Sequence, residues 1–328
     1  MGITVNQIAE LCGVSRTTVL RALNDQNRVS AETKKRILAV AKAHGYRPNL
    51  LARSLNKGRT MSLGVITYDV ENYVFAQSLG AINNEAKKQG YFLNISLQGQ
   101  DNEGELQQLQ ELTDRRIEGI LISPVNQGPA FIQFLKELGV PIVCIGNYVS
   151  DDFSTVLIDE YRAARDAVQY IASKGYQRII FVCPPLSVAQ NQNVYSHIQR
   201  SLGVKDEVAC LDELTYTIID SQAYVDDVLA QVKDAVERTA ILCSGDIYAL
   251  QIMSVLKEKY SIPNQVGIMG FDDISVLQYI TPRLTTVSTS VTEVAIAAVR
   301  ELISQVENSE SVPKKIILNH CIIRGNTM

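Results

Sequence analysis

The sequence predicts an α/β protein in two parts. An N-terminal three-helix head, containing a helix-turn-helix and followed by a short hinge helix, precedes a bilobed body of two parallel-sheet α/β subdomains. Three observations predict it. A glycine-broken pair of amphipathic helices opens the chain, the charge changes sign after residue 60, and short apolar runs then alternate with amphipathic stretches in two successive series.

In the head, Thr4 is a suitable N-cap for a first helix whose apolar positions Val5, Ile8, Ala9 and Cys12 recur at helical spacing, and Gly13 can take the left-handed conformation that ends it. Ser15 then caps a second helix. Val19, Ala22 and Leu23 form its buried stripe, which leaves Arg16, Thr17, Leu20 and Arg21 together on the opposite face. Arginine pairs bidentately with guanine, and threonine and leucine fit thymine methyls, so this face suits a DNA major groove. The alternative is a small surface hairpin with solvated charges. Ser30 and Glu32 open a third helix that turns Ile37, Leu38 and Ala41 toward the first two, with Lys34, Lys35, Arg36 and Lys42 mainly outside. Gly45 and Pro48 break it, residues 50–55 can form a further short helix, and residues 56–60 read as a linker.

Charge divides the chain at the same place. Eleven basic and three acidic side chains up to Thr60 give that segment +8, and a whole-chain charge of −4 leaves −12 beyond it. A basic head on an acidic body is what an end that meets phosphate requires.

In the body, Leu63–Ile66, Phe92–Leu97, Gly119–Ser123 and Ile142–Ile145 read as buried parallel strands, separated by helices over Phe75–Gly90, Glu105–Arg115 and Ala130–Gly139. A second series repeats the rhythm. Arg178–Val182, Ala240–Cys243 and Val266–Gly270 are strand candidates, alternating with helices near Tyr161–Gly175, Asn191–Leu202, Ala223–Val236 and Ile247–Tyr260. Two such units in tandem predict a cleft between sheet ends, lined by the loops 68–75, 123–127, 146–148, 184–193, 244–248 and 271–275.

The residues of the head carry a family resemblance. Val5-Asn-Gln-Ile-Ala-Glu-Leu-Cys-Gly-Val-Ser-Arg-Thr-Thr-Val, Leu23-Asn24, Val29-Ser30, Thr33, Gly45-Tyr46-Arg-Pro-Asn49 and Ala52-Arg-Ser-Leu55 resemble the head and hinge of the LacI/GalR family of bacterial transcription regulators. The body resembles periplasmic binding proteins. The resemblance implies that a homodimer reads two half-sites of double-stranded operator DNA, with the second helix in the major groove and paired hinge helices in the minor groove. The DNA-binding set is then Thr4, Ser15, Arg16, Thr17, Leu20 and Arg21, with Asn24, Arg28 and Asn49 near the backbone and Leu55 as a wedge between base steps. Leu20 stands where a small polar residue is common.

The resemblance also implies three crossings between lobes, near Asp159, Ser288 and Asn319. The expected organisation is a head over 1–45, a hinge and linker over 46–60, one effector subdomain over 61–158 with 289–319, and the other over 159–288 with 320–328. By motif match, Tyr73 and Phe75 enclose an effector, and Asp246 and Asp272 lie near its polar groups; an N-cap role for Asp246 is the equal alternative. Two departures bear on the ligand. Gly146-Asn147 replaces a common acidic residue, and Val194 stands where an arginine is common, so the usual clamp is missing and Asn147, Gln190, Asn191 and Asn193 are left to supply amide contacts. The expected effector is a small polar molecule, a sugar or sugar derivative rather than a nucleobase.

Chemistry is not expected. His44, His197 and His320 stand far apart without metal-ligand spacing, the six cysteines form no CxxC pair, and there is no phosphate-binding loop or dinucleotide fingerprint. No catalytic residue, metal or cofactor is therefore assigned. No signal peptide or apolar run of about 18 residues is present, so a cytoplasmic protein without a membrane partner is expected. The reading is an effector-controlled transcription regulator, most simply a repressor. The alternative is an α/β small-molecule-binding protein or enzyme with an accessory basic head.

Overall fold

A computed structural model describes residues 3–24, 28–46, 59–68, 70–98, 102–233, 236–308 and 310–328. It divides into two units, residues 1–60 and 61–328. Asn49, Leu55 and the hinge helix expected over residues 50–55 lie outside the described residues.

The first unit holds α1 (Val5–Cys12), α2 (Arg16–Leu23) and α3 (Ala31–Ala43). Each begins at a side-chain cap. Thr4 accepts from Gln7 N at 3.3 Å while Gln7 accepts from Thr4 N at 2.9 Å, Ser15 accepts from Thr18 N at 3.1 Å, and Ser30 accepts from Thr33 N at 3.2 Å. Gly13 ends α1 at φ 60°, ψ 36°, a left-handed conformation that glycine adopts without a Cβ clash. Ile8, Val19 and Ile37, one from each helix, are fully buried and meet Ala9, Cys12, Ala22 and Ala41 in one core. Leu38 departs from expectation: it is 43% exposed, and Val40 packs in its place. The reason is angular, since Val40 and Ala41 follow Ile37 by three and four residues, whereas Leu38 lies a full 100° step off that stripe.

In chain order the second unit runs β1 (Ser62–Thr67), α4 (Tyr73–Lys88), β2 (Phe92–Leu97), α5 (Asn102–Asp114), β3 (Gly119–Ile122), α6 (Pro129–Glu137), β4 (Ile142–Ile145), β5 (Ser154–Ile158), α7 (Glu160–Ser173), β6 (Arg178–Val182), α8 (Leu186–Asn191), α9 (Tyr195–Val208), β7 (Thr215–Ile219), α10 (Tyr224–Lys233), β8 (Thr239–Cys243), α11 (Asp246–Leu256), β9 (Val266–Asp272), a 3₁₀ turn at Ser275–Tyr279, β10 (Thr285–Ser288), α12 (Val291–Glu307), β11 (Lys315–Leu318) and β12 (Cys321–Ile323). Two six-stranded sheets result. The first has the order β11-β5-β4-β3-β1-β2 and is parallel throughout; the second, β12-β10-β9-β8-β6-β7, is parallel except for β12. Each sheet is the centre of a lobe.

The chain passes between sheets three times: at Asp159 after β5, at Thr289–Ser290 between β10 and α12, and at Asn319–His320 between β11 and β12. The last two passages are tied together, because Ser290 Oγ donates to Asn319 O at 2.9 Å. Helix α12 follows a strand of the second sheet but packs on β3, β4, β5 and α4 of the first. In the second lobe α7 and α9 approach so closely at Gly203 that a Cβ there would stand 2.4 Å from Tyr161 O.

Two differences from the sequence reading matter for the site. The helix expected over residues 191–202 is two helices, α8 and α9, parted at residues 192–194 where Asn193 takes φ 50°. Strands β5, β7, β10, β11 and β12 were not among the sequence candidates. Ser154-Thr-Val-Leu-Ile158 and Thr285-Thr-Val-Ser288 begin with hydroxyl residues, yet Ser154, Thr155, Thr285 and Thr286 are buried. Ser154 bonds Glu301, Thr286 bonds Asp246 and Thr285 accepts from Gly325 N, partners that a hydropathy pattern does not show, while Thr155 Oγ1 is buried without one.

Candidate functional site

On the head, Arg16 and Thr17 of α2 are exposed, with Leu20 and Arg21 half-buried beside them, while Val19 and Ala22 face the core. The other expected DNA-binding residues that are described flank this face. Thr4 and Ser15 hold the starts of α1 and α2, and Asn24 closes α2 by donating its amide to Leu20 O at 2.9 Å. Arg28 is exposed, at φ 123°. Arg36 behaves differently from a solvated charge: its Nη2 donates to Cys12 O at 2.9 Å and ties α3 to the last turn of α1.

In the body, a cavity of about 740 Å³ lies between the lobes. Every one of the six loops expected at the cleft contributes to its lining, from Tyr68 and Phe75 on one side to Tyr248 and Asp272 on the other. Tyr73, Phe75, Asn147 and Asp272 are among its lining residues. Tyr68 and Phe75 form a tilted ring pair with centroids 5.3 Å apart, and Tyr224 meets Tyr248 edge-on at 5.4 Å. Burial pushes the Tyr248 hydroxyl up to about 12, so it is a neutral hydrogen-bonding group.

Four expected ligand residues are used otherwise. Gln190 and Asn191 are exposed at the end of α8 and do not line the cavity. Asn193 is buried and bonds across to the first lobe, donating Nδ2 to Pro124 O and Tyr148 O at 3.2 and 3.3 Å. Its left-handed turn, which asparagine tolerates, aims the amide that way. Asp246 is completely buried, accepting from Ile274 N at 2.9 Å and from Thr286 Oγ1 at 2.5 Å. It is therefore neither a ligand contact nor the N-cap of α11, which is Gly245. Asn147 reaches the cavity; its Nδ2 donates to Pro124 O within the first lobe at 3.1 Å, and its Oδ1 joins the lobes by accepting from Tyr195 N at 3.3 Å.

The sequence reading missed the centre of the cleft. No arginine stands at Val194, but Arg200, on the same helix α9, lines the cavity at 4% exposure. Its Nε and Nη2 donate to the two oxygens of Glu160 at 2.7 and 3.1 Å, Nη2 also donates to Asp272 at 3.1 Å, and Nη1 donates to Ser244 O at 2.5 Å. Its guanidinium lies 4.4 Å from the Phe271 ring centre. Burial opposes the charge, but Glu160 and Asp272 outweigh it and hold the Arg200 pKa above its ordinary value. Burial raises the Asp272 pKa, with Arg200 beside it pulling the other way. His197, one turn before Arg200, also lines the cavity; burial, assisted by the Arg200 charge, brings its pKa down to about 3, and its buried Nδ1 has no partner. His197 and Arg200 stand within a helix, and Glu160 follows β5, whose hydroxyl residues hide it from a hydropathy pattern, so strand-end loops do not reveal them.

Among the described residues no group of histidine, cysteine and acidic side chains forms a metal site, and no helix is long and apolar enough to cross a membrane.

Fold and sites together define a chain with a helix-turn-helix head and a two-lobed ligand-binding body. Residues 4–49 match the model for bacterial regulatory proteins of the lacI family, and residues 168–328 match the periplasmic binding protein-like domain. The Probable HTH-type transcriptional repressor ExuR of Bacillus subtilis (strain 168) is 29% identical over 329 residues, covering 97% of this chain and 96% of its own. Two solved structures share the fold. The lac repressor dimer bound to operator and the anti-inducer ONPF superposes with a TM-score of 0.86 at 22% identity, covering 100% of this chain and 99% of that one; the transcriptional regulator CelR–cellobiose complex does so at 0.70 and 21%, covering 99% and 100%. The chain belongs to the LacI family of bacterial transcription regulators. It is a regulator, not an enzyme.

Proposed function

We propose that the chain is a repressor that binds operator DNA as a homodimer and answers to a sugar or sugar derivative held between its lobes. The observation that carries this is the pairing, in one chain, of an outward Arg16–Thr17–Arg21 face on a capped helix with a cavity of about 740 Å³ fed by both lobes. Base edges are read by Ser15, Arg16, Thr17, Leu20 and Arg21, while Thr4, Asn24, Arg28 and Asn49 position the backbone and Leu55 wedges the central step. In the cleft, Tyr73 and Phe75 cover the ligand, and Asp272 and Asn147 meet its hydroxyls. A protein of the same fold holds cellobiose.

Dimerisation is supported by the free-edge strands. Strand β2 exposes Phe92, Ile95 and Leu97, and β7 exposes Tyr216 and Ile218, apolar surface that a second copy would cover. Ligand closure of the lobes then alters the geometry of the two heads.

The test is a gel shift of the full-length protein against genomic fragments, with and without sugars. A preferred fragment whose retention changes with one sugar is expected. Equal binding to all fragments in every ligand state would overturn the regulator assignment, and a preferred fragment indifferent to all sugars and to lysate metabolites would overturn the effector assignment.

A further inference from the structure

The cleft has an unbalanced charge that bears on which sugars it accepts. Among the described residues lining it, Glu71, Glu160 and Asp272 are acidic and Arg200 alone is basic, a formal charge of −2. Arg200 is moreover already engaged. Of its five N–H donors, Nε goes to Glu160, both on Nη2 go to Glu160 and Asp272, and one on Nη1 goes to Ser244 O, which leaves a single donor. A carboxylate or phosphate needs two parallel donors for a fork, and this guanidinium has no such edge to give.

Helix N-termini at the cleft are the other source of positive potential; α8, α9 and α12 start there without a side-chain cap, although Asn147 Oδ1 accepts from Tyr195 N at the start of α9 and Glu293 stands in the first turn of α12, and the protein's own groups answer the other three. Asp159 caps α7 by accepting from Arg162 N at 2.9 Å, Asn72 caps α4 by accepting from Val74 N at 3.0 Å, and Asp246 stands in the first turn of α11. Acceptors, by contrast, are available. Asp272 has one oxygen on Arg200 and its second, Oδ2, makes no hydrogen bond within the protein; His197 Nδ1 is buried without a partner. The ring pairs Tyr68–Phe75 and Tyr224–Tyr248 supply faces that suit sugar C–H groups and, still better, an ammonium.

Resting on the reading of the cleft as a sugar site, we propose that it selects its effector by charge: an amino sugar first, the neutral sugar second, and the uronic acid or phosphate ester of the same ring last. The protonated amine donates to Asp272 Oδ2 and offsets the acidic lining. An anionic substituent meets the open Oδ2 of Asp272 and a guanidinium whose donors are already taken, in a partly desolvated space where charge interactions are strong.

Calorimetric titration of the full-length protein tests this with three hexoses, each as the neutral sugar, the 2-amino sugar, the uronic acid and the 6-phosphate, buffered below the pKa of the amine. Within the set that binds, the amino form should be tighter than the neutral one by about tenfold, and the anionic forms weaker than the neutral one by about tenfold or more. An anionic form binding as tightly as its neutral parent would overturn the proposal while leaving the sugar site in place. Silence from all members of all three sets would overturn the sugar reading itself. Asp272→Asn should bring the amino-to-neutral ratio close to one. Should that variant not fold, Glu71→Gln on the exposed rim should reduce the ratio by a smaller factor; an unchanged ratio in the folded variant would overturn the role given to the acidic lining.

Discussion

The head and the cleft hold their chemistry in opposite ways. In the head, Arg16 and Thr17 stand in solvent, and the bonds that cap the helices span three or four residues of chain. In the cleft, Arg200 is almost completely buried and its partners are 40, 44 and 72 residues away. The contrast has a mechanical meaning. A face built on local caps can exchange its outward side chains without disturbing the fold, which suits a surface whose target sequence varies. A buried ion cluster that draws on several elements cannot change one member without disturbing the others.

The largest effect should therefore come from Arg200. Arg200→Met removes the cation between Glu160 and Asp272 while keeping much of the side-chain volume, and stranding a buried and a half-buried carboxylate should cost about 3 kcal/mol. Urea denaturation of the full-length protein measures it. A loss below about 1 kcal/mol, the range of a surface ion pair, would erase the distinction between the cleft and the head.

Arg21→Ala is the counterpart on the head. It should leave stability within about 0.5 kcal/mol, yet weaken binding to the preferred DNA site by about 1–3 kcal/mol and relax the base preference at one position. Anisotropy titrations on single-base variants of the site read both. An equal loss on every sequence would reassign the side chain to phosphate.

The same contrast explains what was legible in the sequence. The head could be read nearly completely, because Thr4, Gly13, Ser15 and Ser30 act within one helical turn of themselves; the exception, Leu38, was a question of angle. Strands such as β3 and β8 were visible as unbroken apolar runs, whereas β5 and β10 were hidden by hydroxyl residues whose partners, Glu301 and Asp246, lie far along the chain. The cleft loops could be placed from strand ends, but not the direction of each side chain. Nothing local distinguishes Asn193, whose amide turns to the opposite lobe, from Gln192, which lines the cavity; the difference is a left-handed φ at one residue. Arg200 was hidden for the same reason, since an arginine on an amphipathic helix carries no local sign that two acids await it.

Asn193 offers a smaller effect that separates backbone from side chain. Asn193→Ala loses the bonds to Pro124 O and Tyr148 O and forces alanine to φ 50°, a combined cost of about 1–3 kcal/mol. Asn193→Gly loses the same bonds but accepts the conformation, so it should be the milder change in thermal denaturation. Equal destabilisation would place the whole effect in the cross-lobe bonds.

The smallest effect concerns His197 and pH. Its folded pKa of about 3 lies below the ordinary histidine value of 6.5, so on acidification the unfolded chain takes up a proton before the native one does. Stability contributed by the neutral, half-buried ring is then fully present above about pH 6.5 and declines as pH falls toward 3. Replacing the residue by glutamine removes this slope without adding a charge. Between about pH 6.5 and 5.5 the native protein should lose about 1 kcal/mol relative to His197→Gln, read as the difference between two urea titrations so that carboxylates common to both cancel. Parallel stability curves for the two proteins over that interval would mean that His197 takes up its proton as readily folded as unfolded, and that this part of the cleft is as open to water as the face of α2.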